Sequence, residues 1–309
     1  MSTFPLVSII TPSFNQGQFL EATILSVLEQ DYPNIEYIIV DGGSSDNSVE
    51  IIKRYADRLA FWVSEQDNGQ AQAINKGLTR AQGEFLGWLN SDDVFLPWAI
   101  SRIVNAFMLN PDIDVVYGRL ERIDVDGNRV PTPELPKDLV TFSRDYIIDE
   151  CVVNQPGCLW RRGMMEKVGH LNDKLHYTMD YDYWIRILLA GGKFFHLEDS
   201  LAQFRLSAGS KTVGQTAKMA REGLEVIEHY YKQPGITQNL GITQAQLKRQ
   251  YNRGRGSVSL QAFYGCVKEK KWFEAIQWFV RAHLYSPFVL VNWKWWILGM
   301  SGLKRRYLK

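Results

Sequence analysis

Cysteine is scarce in this chain, and Cys151, Cys158 and Cys266 are odd in number, with neither CxxC nor His-rich spacing around them. That excludes a disulfide framework and a zinc site, and it fits reduced thiols in the cytoplasm. No GxGxxG follows the first apolar run, which argues against a dinucleotide-dependent oxidoreductase, and no GxxxxGK[ST] loop is present to cradle phosphates. The N-terminal residues, Met1 to Leu6, lack a basic segment followed by an apolar one, so no secretory signal is read there. No stretch reaches the roughly 18–20 uninterrupted apolar residues of a membrane-spanning helix; Pro287 to Leu303 comes nearest, broken by Asn292 and Lys294. The expected location is cytoplasmic.

What is present is a chain of 309 residues, 45% hydrophobic, long enough for one large α/β domain with an appendage. Its formal charge is +1, unevenly spread: residues 268–309 carry nine Lys or Arg against two Glu, leaving −6 for residues 1–267. The basic character belongs to the tail, and no nucleic-acid partner is expected.

Leu6 to Ile10 reads as a first strand stopped by Thr11-Pro12-Ser13; Leu20, Ile24, Val27 and Leu28 recur at helical spacing, and Ile35 to Val40 forms the next strand. A second helix (Val49, Ile52, Tyr55), a third strand (Phe61 to Val63), a third helix after Asp67-Asn68-Gly69 and a fourth strand (Phe85 to Leu89) continue the alternation. Such alternation predicts a Rossmann-like, mainly parallel sheet flanked by helices. Asp126-Gly127-Asn128 signals a hairpin, so mixed or antiparallel strands are expected in the second half. From about Thr216 the pattern is helical, with joints at Gln233-Pro234-Gly235 and near Arg253-Gly254-Arg255-Gly256.

The most informative segment is Leu86-Gly-Trp-Leu-Asn-Ser-Asp-Asp93, where an apolar run ends in two adjacent carboxylates. Strand C-termini of an open α/β sheet face the ligand crevice, so Asp92 and Asp93 are candidates to hold a hard divalent cation beside phosphate oxygens; the alternative is that one of them caps the next helix. Asp41 ends the second strand before Gly42-Gly43, either to meet a nucleobase N–H or to make a turn. Asp67 and Asn68 read as helix caps or donor contacts, and Lys76 as a diphosphate contact or a solvated cation. In Met179-Asp180-Tyr181-Asp182-Tyr183-Trp184-Ile185-Arg186, Asp180 and Asp182 cannot share a helix face, so one acid can point into a cleft as a general base while the other bonds locally; the alternative is that Asp180 caps the helix and Asp182 pairs with Arg186.

Together, Val7 to Asn15 (VSIITPSFN), Ile39 to Asp46 (IVDGGSSD), Asn90-Ser91-Asp92-Asp93 and Asp180 to Arg186 occur in the order that resembles the family 2 glycosyltransferases of GT-A fold, over about residues 5–212. The resemblance implies a GT-A catalytic domain at 1–214, with a nucleotide-sugar half near 1–95 and an acceptor half near 96–214, followed by a helical extension at 215–309. It implies that Thr11, Pro12 and Asp41 hold the nucleoside of a nucleoside-diphosphate sugar, a UDP-sugar being favoured. Asp92 and Asp93 would hold Mn²⁺ or Mg²⁺ and the diphosphate, Asp93 being the better ligand, and Asp180 would be the base of an inverting displacement onto the hydroxyl of a carbohydrate or glycolipid acceptor.

Three departures stand out. Gly42 replaces the second acid of the common Asp-Asp-Gly-Ser; Met179 replaces the first acid of a Glu-Asp pair, which leaves the choice between Asp180 and Asp182 open; and Ser207 stands where many relatives carry a His, with Arg205 and Lys211 as substitute phosphate-facing cations. A sugar-phosphate nucleotidyltransferase is the alternative on the same fold, although the Thr11 to Gly17 loop has no basic residue; a non-catalytic sugar-nucleotide-binding module is another. Trp88 and Trp160 read as sugar platforms or core. Residues 257–287 resemble a single tetratricopeptide-type hairpin that packs on the catalytic domain. The Trp293 to Arg306 segment, aromatic and basic, reads either as a core-facing helix or as a contact with the inner face of the cell membrane.

Overall fold

The computed structural model describes residues 4–131, 151, 153–207 and 209–286. Chain contacts divide these into two compact units, one of residues 4–131 and 153–207, the other of Cys151 and residues 209–286.

The first unit opens as the alternation predicts: β1 (Val7–Ser13), α1 (Gly17–Leu28), β2 (Ile35–Asp41), α2 (Ser48–Arg54), β3 (Phe61–Ser64), α3 (Gln70–Arg80) and β4 (Phe85–Trp88). β1 is buried along its whole length, as a central parallel strand covered on both faces must be. These strands lie parallel in the order β3-β2-β1-β4. The chain leaves β1 toward β2 on one side and returns to β4 on the other, which makes the β1/β4 boundary a topological switch point. In the β1/β2 register Ser13 lies opposite Asp41, so the two strands end level with each other. α3 approaches β1 closely because Gly77 has no side chain: a Cβ there would stand 2.5 Å from Ile10 Cγ2.

The second half of the unit is β5 (Val94–Phe95), α4 (Ala99–Leu109), β6 (Val115–Ile123), β7 (Arg129–Val130), β8 (Cys158–Arg161), α5 (Arg162–Val168), α6 (Met179–Leu189) and β9 (Phe194–Arg205). It extends the sheet as β4-β8-β6-β9-β5, with β8 antiparallel to both β4 and β6, β9 parallel to β6, and β7 folded back on β6 through the Asp126-Gly127-Asn128 turn. In that turn Gly127 adopts φ +85°, and Asp124 N–H donates to Asn128 O at 2.9 Å.

One hydrophobic layer packs α1 and α4 against the sheet through Leu20, Ile24, Val27, Ile100, Ile103 and Phe107. The ring cluster of Trp88, Trp160 and Trp184 packs elsewhere: Trp88 and Trp184 stack at 5.8 Å, and Trp160 meets both edge-on. Trp88 and Trp160 are 2% and 0% exposed. They are core, and the sugar-platform alternative is withdrawn for both.

The second unit is helical: α7 (Lys211–Gly214), α8 (Thr216–Tyr231), α9 (Ile236–Leu240), α10 (Gln244–Lys268) and α11 (Trp272–Tyr285). The joint at Pro234-Gly235 is present, with Gly235 left-handed at φ 77°. The joint expected near 253–256 is not: α10 runs unbroken through both glycines. Packing outweighs the weak helix propensity of Gly254 and Gly256. Both are buried, Tyr251 stacks on Tyr231 at 3.8 Å, and the Arg255 guanidinium lies over the Tyr251 and Tyr285 rings. The hairpin read in 257–287 is α10 followed by α11, with Ala262, Cys266, Ala275 and Trp278 sharing one buried cluster with Ala217 and Ala220 of α8. Residues 293–306 lie outside the described residues.

Candidate functional site

The C-terminal ends of β1, β2 and β4 gather the sequence candidates. Beyond β4 the backbone turns tightly, Asp93 N–H donating to Asn90 O, and runs into β5 rather than a helix. α4 begins at Ala99 with Trp98 as its cap residue, so neither Asp92 nor Asp93 caps it. The carboxylates are instead held in place from below. Asp93 is fully buried; its Oδ1 accepts from Arg205 N–H at 3.1 Å and its Oδ2 from Asn90 Nδ2 at 3.2 Å, while its carbonyl accepts from Thr23 Oγ1. Burial, together with the neighbouring Asp92 charge, pushes the Asp93 carboxyl well above the usual carboxylate range. Burial also raises Asp92, against a smaller opposing pull from Arg205. Two adjacent acids are thus raised by burial at the end of β4.

Arg205 sits beneath this loop. Its Nε donates to Asp92 O at 2.9 Å, its Nη1 to the carbonyls of Asp124 and Val125, and its guanidinium covers the Phe19 ring at 4.7 Å. It is 5% exposed. The structure therefore uses Arg205 as a brace that ties β9 to the acidic loop, not as a phosphate-facing cation. Lys76 is likewise engaged, its Nζ 2.9 Å from Glu65 Oε1.

At the ends of β1 and β2, Thr11 Oγ1 lies 3.0 Å from the buried Tyr37 hydroxyl. Asp41 is fully buried, and its oxygens accept from the N–H groups of Gly43 and Ser44 and from the hydroxyls of Ser44 and Ser64. Asp41 thus organises the Gly42-Gly43-Ser44 loop. Gly42 explains its own departure from the family pattern: a Cβ at 42 would stand 2.9 Å from Asp67 Oδ2. The Asp67 carboxylate occupies that space, anchored through Oδ1 by Gly69 N–H at 2.8 Å. Asn68 is exposed, its N–H donating to Gln72 Oε1.

α6 presents its acids in its first turn. Asp182 is buried and ion-paired with Arg186, Oδ2 to Nε 2.9 Å, four residues on. Asp180 is half-buried two residues earlier, one oxygen accepting from Tyr181 N–H. The segment leading into α6 is fastened to α3 by reciprocal bonds between Asn75 and the backbone of Leu171.

Sequence reasoning missed two features. Phe14, directly after β1, is 59% exposed at the C-terminal end of the parallel strands. Its signal was a large aromatic in an otherwise polar strand end. The second is an amide relay: Gln70 Nε2 donates to Asn90 Oδ1 at 2.7 Å, Asn90 Nδ2 donates to Asp93 Oδ2 and Gln155 Oε1, and Gln155 Nε2 donates to Trp88 O at 2.6 Å. Residues 65 positions apart carried no local signal.

A mixed α/β sheet with paired carboxylates at its switch point is the architecture of GT-A sugar transferases. The sequence profile described as glycosyl transferase family 2 matches residues 8–169, and the chain belongs to that family. An uncharacterized glycosyltransferase of Rickettsia typhi is 31% identical over 204 residues, 63% of this chain and 62% of the relative; one from Rickettsia conorii is 31% identical, with 35% of its length aligned. The chain therefore spans less than two thirds of those relatives. An uncharacterized glycosyltransferase of Nostoc is 28% identical over 97% of this chain and 92% of its own. Among solved structures, a mannosyltransferase from Pyrobaculum calidifontis in complex with GDP-Man and Mn²⁺ shares the fold with a TM-score of 0.64 at 16% identity, covering 92% of this chain and 87% of that one. S. aureus TarS 1–349 in complex with UDP-GlcNAc does so with a TM-score of 0.55 at 14% identity, covering 94% and 91%.

Proposed function

We propose that the protein transfers a sugar, with inversion, from a nucleoside-diphosphate sugar to an acceptor hydroxyl on a surface polysaccharide, glycolipid or lipid-linked glycan. The observation that carries this reading is the adjacent Asp92 and Asp93 at the end of β4, Asp92 half-buried and Asp93 fully buried, with the Asp93 carboxylate held by the Arg205 backbone N–H and the Asn90 side chain. Two hard oxygen donors suit Mn²⁺ or Mg²⁺. Among the described residues no cluster of three or more His, Cys, Asp or Glu completes a cage, so the donor phosphates would supply further oxygens. When bound, the cation neutralises the charge that develops on the departing nucleoside diphosphate.

The rest of the work falls to the chain. Phe14 offers its ring to the base, and Thr11, Pro12 and the loop ordered by Asp41 form the pocket floor, with Asp67 reaching the base or ribose and Asn68 and Lys76 at its edge. The division into a donor half near 1–95, an acceptor half near 96–214 and a helical extension at 215–309 belongs to the same reading. Asp180 takes the proton of the acceptor hydroxyl as that oxygen attacks the anomeric carbon and the bond to the diphosphate breaks. Asp182, committed to Arg186, is assigned a structural role. Nucleoside-diphosphate release from UDP-, GDP- and dTDP-sugars, with and without Mn²⁺ and a mixed acceptor library, tests this. Metal-dependent release from one nucleotide class supports it, and none from any class in folded protein refutes it.

A further inference from the structure

The last described helix, α11, has two apolar faces, and among the described residues only one is covered. Ala275, Trp278 and Ala282 are buried against the second unit's core. Phe279, Trp272, Ile276, Val280, Phe273 and Leu284 fall on the other side within an arc of about 140° at the 100° helical repeat, along a helix of roughly 21 Å. They are 40%, 62%, 64%, 48%, 76% and 72% exposed. A helix that is apolar on both sides is a buried helix, and a contiguous stripe of six large side chains marks a contact surface rather than incidental exposure.

Charge identifies the occupant. The two acids of residues 268–309 are already neutralised, Glu269 by Lys271 at 2.6 Å and Glu274 by Arg221. Exposed Lys268 and Lys270 precede the helix, and exposed Arg281 borders the stripe. The sequence that follows, 287–309, adds five Lys or Arg, three Trp and no acid. An apolar, aromatic stripe with a one-signed basic border is complementary to an anionic bilayer, whose headgroups meet the cations while the stripe enters the acyl boundary. No described helix is long and apolar enough to cross a membrane, so the helix would lie in the surface.

We propose that the exposed face of α11 is a docking surface for anionic lipid. The assignment does not depend on the reaction proposed above. The full chain is floated with phosphatidylcholine vesicles with and without 30% phosphatidylglycerol, alongside Phe273→Ser/Ile276→Ser/Leu284→Ser, whose sites are exposed and whose fold is checked by circular dichroism and melting. Binding to the anionic vesicles alone, reduced at least tenfold by 500 mM salt and at least tenfold in the triple variant, is expected. Equal binding of parent and variant would overturn the assignment, as would absence of binding. A parent dimer in light scattering that the variant abolishes would assign the face to a second copy, and a lower melting temperature of the variant without parent vesicle binding would assign it to the chain's own remainder.

Discussion

Asp180 and Asp182 stand two residues apart in the first turn of α6. Asp182 is buried and paired with Arg186, and its loss removes an internal tie, whereas Asp180 is half-buried and is the base in the proposed reaction. Asp180→Asn is therefore expected to keep nucleotide affinity and lower transfer by about 10²–10⁴-fold, read as kcat with KM for the donor unchanged. Asp182→Asn should instead lower the melting temperature with a smaller effect on rate. At the end of β2, Gly42→Asp would bring a second carboxylate into the space of Asp67 Oδ2 and, on the proposed reading, is predicted to weaken nucleotide binding and stability together, while Asp67→Ala in the same background restores the stability. A thermal melt of the two variants checks this pairing. Position 42 was legible in the sequence only as a missing acid. Its compensation lies 25 residues away, across the sheet from β2 to the loop after β3, and becomes visible only when parallel pairing brings those loops together.

Among the elements, the first four strands and three helices could be read locally because short apolar runs alternate with segments of helical spacing, each bounded by its own turn residues. The amide relay and the Arg205 brace could not be read, since β9 reaches the acidic loop only through sheet order. Arg205 resembled a phosphate contact in sequence because a cation beside a glycine- and serine-rich turn is ambiguous until its hydrogen-bond partners are known. α10 defeated local reading for a related reason: tertiary packing overrode two glycines. α3 packs closely on β1, and Gly77→Val should cost about 1–3 kcal/mol through the displaced Ile10, measurable by urea denaturation. Trp160→Ala, in the centre of the ring cluster, should cost about 3–5 kcal/mol by the same method.

Over the whole molecule, stability and function pull against each other at β4. The folded state raises the Asp93 carboxyl above its unfolded value, so above the unfolded pKa of about 4 the folded protein holds the proton more tightly than the unfolded chain, and this contribution to stability falls as pH rises. In chelator, the melting temperature of Asp93→Asn relative to the parent should therefore climb from pH 5 to pH 8. Cation binding displaces that proton, so it should tighten over the same range.

The most direct test of the account is equilibrium binding of UDP and GDP to the parent and to Asp93→Asn at pH 7.5, each with Mn²⁺ and with chelator. Cation-dependent binding of one nucleotide, lost in the variant while the variant melts no lower than the parent in chelator, is the predicted result. Nucleotide binding that is indifferent to both the cation and the substitution would contradict the role given to the paired carboxylates.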